Sequence, residues 1–252
     1  MTEKIIDSAD ELKAIVFTGS DWKAFIPGHE SASKKNISIA NAPGANSYAV
    51  GEYALTLMLA MMRNIFELGR TGTKDFQTTH SLSELTVGII GMGKIGTKVA
   101  MDVKNLGAKK VIYFSRTRKP EIEKMGIEYT LMDEVLKQSD VVFLLVPKST
   151  GDDFLGAKDF GMMKDKALLV NIASRSLVNS DALFQELSNG RLRAVQDGPA
   201  DERFKGLPLS IWFNSNASTA YNTFDANKKA SDMAVESILN LLSKGEDSHK
   251  VN

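Results

Sequence analysis

The chain has 252 residues, 43% hydrophobic and 25% charged, with 31 basic residues balanced by 31 acidic ones. That length and composition give one large globular domain or two smaller ones, and a net charge of zero leaves no electrostatic footprint for nucleic acid or a membrane surface. The absence of cysteine excludes disulfides, thiolate nucleophiles and cysteine-ligated metals.

The N-terminus, Met1-Thr2-Glu3-Lys4, is charged and lacks an apolar signal core. No apolar run approaches the roughly 20 residues that cross a bilayer, so the expected compartment is the cytoplasm. Residues 1–47 read as a small α/β piece. Ala14-Ile15-Val16-Phe17 and Ile37-Ser38-Ile39-Ala40 are short apolar strands, a polar helix-compatible stretch lies between them, and Asn41-Ala42-Pro43-Gly44 supplies a turn. Ser47 to Arg70 is predicted as one long helix. Val50, Ala54, Leu57, Met58, Met61 and Met62 fall on overlapping apolar faces, so burial between domains or subunits is expected, and with it a homodimer. Its methionines read as packing. Residues 48–80 are taken as this helix and a linker.

From Leu85 onward apolar runs alternate with helical patterns. The predicted strands are 87–90, 110–114, 141–146, 167–172, 192–196 and 209–213. Near-continuous apolarity marks strands covered on both faces, and strict alternation marks a doubly wound parallel sheet over residues 81–224. Residues 225–244 form a last amphipathic helix, and 245–252 a polar tail expected to be disordered.

The most informative segment is Val87-Gly88-Ile89-Ile90-Gly91-Met92-Gly93-Lys94-Ile95-Gly96. A strand enters it and an amphipathic helix from Lys94 to Leu106 leaves it, the setting of a dinucleotide-binding G-x-G-x-x-G loop. Gly91 permits the turn, Gly93 lets a pyrophosphate approach the backbone, and Gly96 lets the helix close on the strand. The helix start attracts phosphate, so Met92, Lys94 and Ile95 join the glycines as expected cofactor contacts. In such folds an acidic residue about 20 positions on holds the ribose 2′-hydroxyl. Here the second strand ends Phe114-Ser115-Arg116-Thr117-Arg118-Lys119. Ser115 removes the carboxylate that repels a 2′-phosphate, and Arg116 and Arg118 are placed to pair with one. NADP is therefore favoured with NAD as the alternative; the competing reading is a solvated basic loop.

With these residues in view the chain resembles the D-isomer-specific 2-hydroxyacid dehydrogenases, and within them the glyoxylate/hydroxypyruvate reductase branch. Its markers are Asn41-Ala42-Pro43-Gly44, Ala49-Val50-Gly51-Glu52 leading to Arg63, the glycine loop, Ser115 to Pro120, Asp140-Val141-Val142 to Val146-Pro147, Asn171-Ile172-Ala173-Ser174-Arg175-Ser176, Asp181-Ala182-Leu183 and Asp197. The resemblance implies a Rossmann sheet with a flavodoxin-like companion domain, and hydride transfer between a nicotinamide and a small 2-oxo or 2-hydroxy acid. It implies that Arg175 binds the substrate carboxylate and carbonyl and that Asp197 sits near the nicotinamide carboxamide. It places Glu202 as the carboxylate that orients a catalytic histidine, and Val146, Pro147 and Ala173 along the cofactor.

Two departures qualify this. The family's histidine position reads Ala217-Ser218-Thr219, so Ser218 stands there, and a hydroxyl does not titrate near neutrality as imidazole does. His29, His80 and His249 are read as surface residues. Without a histidine, Glu202 is either a site carboxylate or an exposed loop residue, and Arg175 binds a carboxylate ligand or salt-bridges Glu202. Lys148 is a solvated lysine or a substitute acid. Second, the companion domain is shortened to 47 residues before the long helix, and the family's substrate loop falls on Thr18-Gly19-Ser20-Asp21-Trp22. A piece so small is expected to lean on the long helix, the C-terminal helix or a second subunit. Three readings compete: a 2-oxo acid reductase with altered or impaired turnover; a non-catalytic NAD(P)(H)-binding regulator or partner subunit; and a structural remnant, against which the intact glycine loop argues.

Overall fold

In the computed structural model, which describes residues 1–72 and 78–252, the chain divides into two compact units. Met1–Ala49 with Tyr221–Asn252 form the smaller unit, and Val50–Ala220 form the larger. Part of the linker expected before residue 80 lies outside the described residues.

The larger unit is built on strands β3 (Thr86–Ile90), β4 (Lys110–Phe114), β5 (Glu128–Tyr129), β6 (Val141–Leu144), β7 (Leu168–Asn171), β8 (Arg193–Gln196) and β9 (Trp212–Asn214), numbered after β1 and β2 of the smaller unit. Among the described residues they form one parallel seven-stranded sheet in the order β5-β4-β3-β6-β7-β8-β9. This is the doubly wound Rossmann arrangement expected from the alternation of apolar runs. Successive side chains point to opposite faces, and each face has its own core. Val87, Ile89, Val141, Phe143 and Val170 pack with α4 and α6 residues, whereas Ile90, Val142, Leu144 and Leu169 pack with α8–α10 residues. The helices are α4 (Ser47–Met62), α5 (Ile65–Thr71), α6 (Lys94–Asn105), α7 (Pro120–Glu123), α8 (Met132–Gln138), α9 (Ala157–Met162) and α10 (Ser180–Ser188). Two-sided burial explains why these strands read as solid apolar runs.

The register matters most for function. Phe114 pairs with Ile90, Ile90 with Leu144, Leu144 with Asn171, Asn171 with Gln196 and Gln196 with Asn214. These six residues form one row across the carboxyl end of the sheet. The loops starting at residues 91, 115, 145, 172, 197 and 215 therefore leave the sheet side by side.

Several boundaries differ from the sequence expectation. The long helix predicted over 47–70 breaks after Met62, where Asn64 adopts φ of 53°. Asparagine tolerates this left-handed conformation, and its Oδ1 accepts a 2.8 Å bond from Arg193 Nη2. Arg193 also donates to the Met61 carbonyl and, at 2.8 Å, to that of Ser210. The last strand begins at Trp212 rather than Leu209, because Ile211 and Trp212 N–H both turn back to the Pro208 carbonyl. The two-residue β5 had no sequence signal.

The smaller unit holds β1 (Ala14–Phe17) and β2 (Ser38–Asn41), which pair in parallel, and helices α1 (Glu3–Asp7), α2 (Trp22–Phe25), α3 (His29–Lys34) and α11 (Phe224–Lys244). Ile6, Ile15, Ile26, Ala32, Ile37 and Ile39 form its core, and α11 packs on both strands. The C-terminal helix thus supplies the support this short piece needs.

The tail is not disordered. Asn252 Oδ1 accepts from Ile39 N–H at 2.6 Å, Val251 N–H donates to the Ile39 carbonyl at 2.8 Å, and Lys250 bridges Ala40 antiparallel. The mostly polar residues 245–252 succeed here because they satisfy the open edge of β2, while Val251 packs against the small core. The bend into the edge is held by Asp247, which accepts from Ser237 Oγ at 3.0 Å, Asn240 Nδ2 at 3.0 Å and His249 N–H at 2.7 Å. Burial raises its pKa, but these hydrogen bonds and nearby His249 outweigh that and hold it below the ordinary aspartate value. A depressed folded-state pKa gives stability that is present above the unfolded pKa of about 3.9 and lost as pH falls through the folded value. Asp247→Ala is expected to cost about 1–3 kcal/mol in urea unfolding at neutral pH. The difference from the wild type should shrink as the pH is lowered below 4.

Candidate functional site

Every candidate loop of the larger unit leaves the row Phe114–Ile90–Leu144–Asn171–Gln196–Asn214, and the strand order reverses between β3 and β6. A crevice at such a reversal is where doubly wound sheets bind ligands.

At the reversal, Gly91 has φ of 107° and its N–H donates to the Phe114 carbonyl at 2.9 Å. A Cβ there would lie 2.6 Å from the Leu145 carbonyl oxygen, so only glycine lets β3 turn this close to the loop after β6. A Cβ on Gly96 would overlap the Gly91 carbonyl. Gly93 is different: a Cβ there meets no atom within 4 Å. Gly91 and Gly96 are therefore required by internal packing, whereas Gly93 faces open space and its packing does not call for glycine. It is the N-cap of α6 and no side chain caps the helix. An open backbone surface beside a helix start lacking a side-chain cap fits a pyrophosphate. Met92 is buried, and Lys94 and Ile95 begin α6.

In the neighbouring loop, Ser115 Oγ donates to the Thr117 carbonyl at 2.6 Å. Arg118 forms an ion pair with Glu123, whose pKa it lowers, and lies over the Tyr129 ring, 5.0 Å from its centroid. Tyr113 Oη donates to the same carboxylate at 2.9 Å and accepts from Lys119 N–H at 2.7 Å. Arg116 is exposed and forms no ion pair among the described residues. The two arginines expected to act together are thus in different states, one committed and one available.

The loop after β7 is shaped by Asn171, which accepts from Ala173 N–H at 3.1 Å and donates to the Ser174 carbonyl at 3.2 Å. Arg175 follows, with a half-exposed guanidinium. It does not meet Glu202. Its Nη1 lies 3.7 Å from Asp201 Oδ1, while Glu202 is 84% exposed and pairs with Lys205 at 2.6 Å. The other Asp201 oxygen accepts from Arg203 Nη2 at 3.2 Å, and Arg203 Nη1 bonds Asp181 at 2.5 Å. Arg203 also lies over Phe184 and Phe204, and its pKa is raised chiefly by the bond to Asp181. Sequence reasoning missed Asp201 and Arg203. The only signal was an acid–acid–base run after Ala200, which does not say which carboxylate turns inward.

Asp197, 7% exposed, organises the last loop. It accepts from Thr219 N–H at 3.0 Å, Ala220 N–H at 3.2 Å and Thr219 Oγ1 at 3.2 Å, and Ser215 Oγ lies 2.8 Å away. Thr219 Oγ1 also lies 3.1 Å from the Tyr53 hydroxyl on α4, a contact not foreseen. Ser218 is exposed beside Gly198, where a Cβ would come within 3.1 Å of its Oγ. Val146 and Pro147 follow β6 and lead into the turn that starts at Lys148. His80 lies before the amino end of β3, away from these loops; His29 and His249 belong to the smaller unit.

The sequence profile described as "D-isomer specific 2-hydroxyacid dehydrogenase, NAD binding domain" matches residues 55–216. A glyoxylate reductase of Thermococcus litoralis is 37% identical over 175 residues, 64% of this chain and 53% of that protein. A D-3-phosphoglycerate dehydrogenase of Methanocaldococcus jannaschii is 31% identical over 257 residues, 98% of this chain and 48% of that one. The chain spans about half the length of the curated relatives it matches. Among solved structures, the NAD-complexed D-isomer specific 2-hydroxyacid dehydrogenase from Lactobacillus delbrueckii ssp. bulgaricus is 26% identical with a TM-score of 0.84, covering 99% of this chain and 82% of that one.

Gly93→Ala is expected to leave stability within about 0.5 kcal/mol while weakening NADPH and NADH binding, read by fluorescence titration. Gly96→Ala is expected to cost about 1–3 kcal/mol or more in unfolding, because backbone must move.

Proposed function

Because the chain belongs to the D-isomer specific 2-hydroxyacid dehydrogenase family, we propose that it is an NAD(P)-dependent reductase of a small 2-oxo acid. The observation that carries this reading is the convergence of the glycine loop, Arg175 and Asp197 on the carboxyl end of one sheet, on strands held in register. When bound, the nicotinamide supplies the hydride for substrate C2. Gly91 to Gly96 would seat the pyrophosphate, with Val146, Pro147 and Ala173 along the cofactor. Arg175 takes the substrate carboxylate as a charge-assisted pair and orients the carbonyl. Asp197 fixes the 215–220 loop against β8 and would lie on the carboxamide side of a bound nicotinamide. The smaller unit is read as a substrate-binding domain, with Thr18 to Trp22 as its substrate loop, and the working protein as a cytoplasmic homodimer.

Ser218 stands where the family's proton donor is expected, so the proton comes from solvent or from Lys148. Loss of a positioned general acid costs about 10²–10⁴ in rate, which makes turnover slow. Glu202, turned outward onto Lys205, has no histidine to orient. The same serine favours a second reading, an NAD(P)(H)-binding regulator or partner subunit without turnover. NADP is the preferred cofactor, and the available Arg116 rather than the Glu123-bound Arg118 carries that preference, with Ser115 leaving room for the 2′-phosphate.

Oxidation of NADPH and NADH by the purified protein with glyoxylate, hydroxypyruvate and pyruvate tests the proposal. Turnover above a substrate-free control, faster with NADPH, is expected. No turnover in folded, cofactor-binding protein sinks the reductase reading and leaves the regulator. Ser218→His should raise kcat at least about tenfold if the rest of the site is assembled. Arg116→Ala should weaken NADPH binding by about tenfold, 1.4 kcal/mol, and leave NADH binding nearly unchanged.

A further inference from the structure

Among the described residues Asp201 is the carboxylate within 4 Å of Arg175, and its two oxygens are used differently. Oδ2 accepts from Arg203 at 3.2 Å, whereas Oδ1 lies 3.7 Å from Arg175, beyond a good hydrogen bond. Arg203 is held independently, by the 2.5 Å bond to Asp181 and by the rings of Phe184 and Phe204. The four charges alternate, Asp181, Arg203, Asp201, Arg175. Asp201 therefore remains neutralised by Arg203 if Arg175 turns to another carboxylate, and no bare charge is left behind. Arg175 is 55% exposed on its side chain, so an incoming anion reaches it without unpacking anything.

Resting on the reading of Arg175 as the substrate-carboxylate site, we infer that Asp201 is a built-in competitor: it occupies Arg175 in the free protein and hands it to an incoming 2-oxo acid, setting the affinity for that class of anion. The role follows from geometry. Arg–carboxylate pairs that fix a guanidinium are frequently bidentate. This one is anchored elsewhere and touches Arg175 loosely.

The test is oxalate binding to the NADPH-bound protein by titration calorimetry, at low and at high ionic strength. Asp201→Asn should tighten oxalate binding about three- to tenfold at low salt, with the gain shrinking as salt screens the charges. In the 2-oxo acid assay KM should fall by a similar factor with kcat little changed. Arg203→Gln should act in the opposite direction, because Asp201 then turns fully to Arg175 and oxalate binds more weakly. Asp165→Asn, the same charge change at an exposed residue before the amino end of β7, should leave oxalate affinity unchanged. Unchanged or weaker binding in Asp201→Asn, or equal tightening in Asp165→Asn, overturns the inference while leaving Arg175 as the anion site. If oxalate binds neither the wild type nor Asp201→Asn although NADPH binds, or if Arg175→Leu leaves oxalate affinity unchanged, the reading of Arg175 itself falls, and the inference with it.

Discussion

The site depends on the alignment of strand ends. Parallel pairing fixes Ile90, Leu144, Asn171 and Gln196 in one row, so the first residues past each strand are neighbours whatever their sequence separation. Shifting one strand by a single residue would turn its apolar side chains to the wrong face, and both faces are packed. The cores thus do more than stabilise the fold. They set the positions at which residues 91, 145, 172 and 197 emerge, and short loops carry that precision to the chemistry.

Charge in this region is arranged with economy. Buried Asp197 gathers donors from the loop after β9, whereas the more exposed Asp201 meets two guanidinium groups. One carboxylate serves backbone and hydroxyl donors, the other charged side chains. Arg118 and Arg116 divide in the same way, one stacked and paired, the other available in solvent.

Much of this was legible in the sequence because it rests on local rules. Apolar runs such as Val141–Leu144 report two-sided burial, and the glycine spacing reports a turn that other residues cannot make. What was hidden depends on partners distant in sequence. The break at Asn64 is recognisable only once Arg193, on β8, is seen to hold its side chain. The docking of residues 250–252 depends on the open edge of β2, more than 200 positions earlier. The choice between Asp201 and Glu202 turns on a single short helical turn: the two residues are adjacent, and their directions diverge only after the chain has bent at Glu202–Gly206.

The loop from 215 to 220 takes its shape from Asp197 through the hydroxyls of Ser215 and Thr219 and the backbone of Thr219 and Ala220. Among the described residues, the exposed side chain at 218 makes no hydrogen bond in that support. The side chain at this position is therefore separable from the architecture, so replacing it is expected to leave the loop in place. The loop's shape in turn reports nothing about which side chain stands at 218, because its support comes from Asp197.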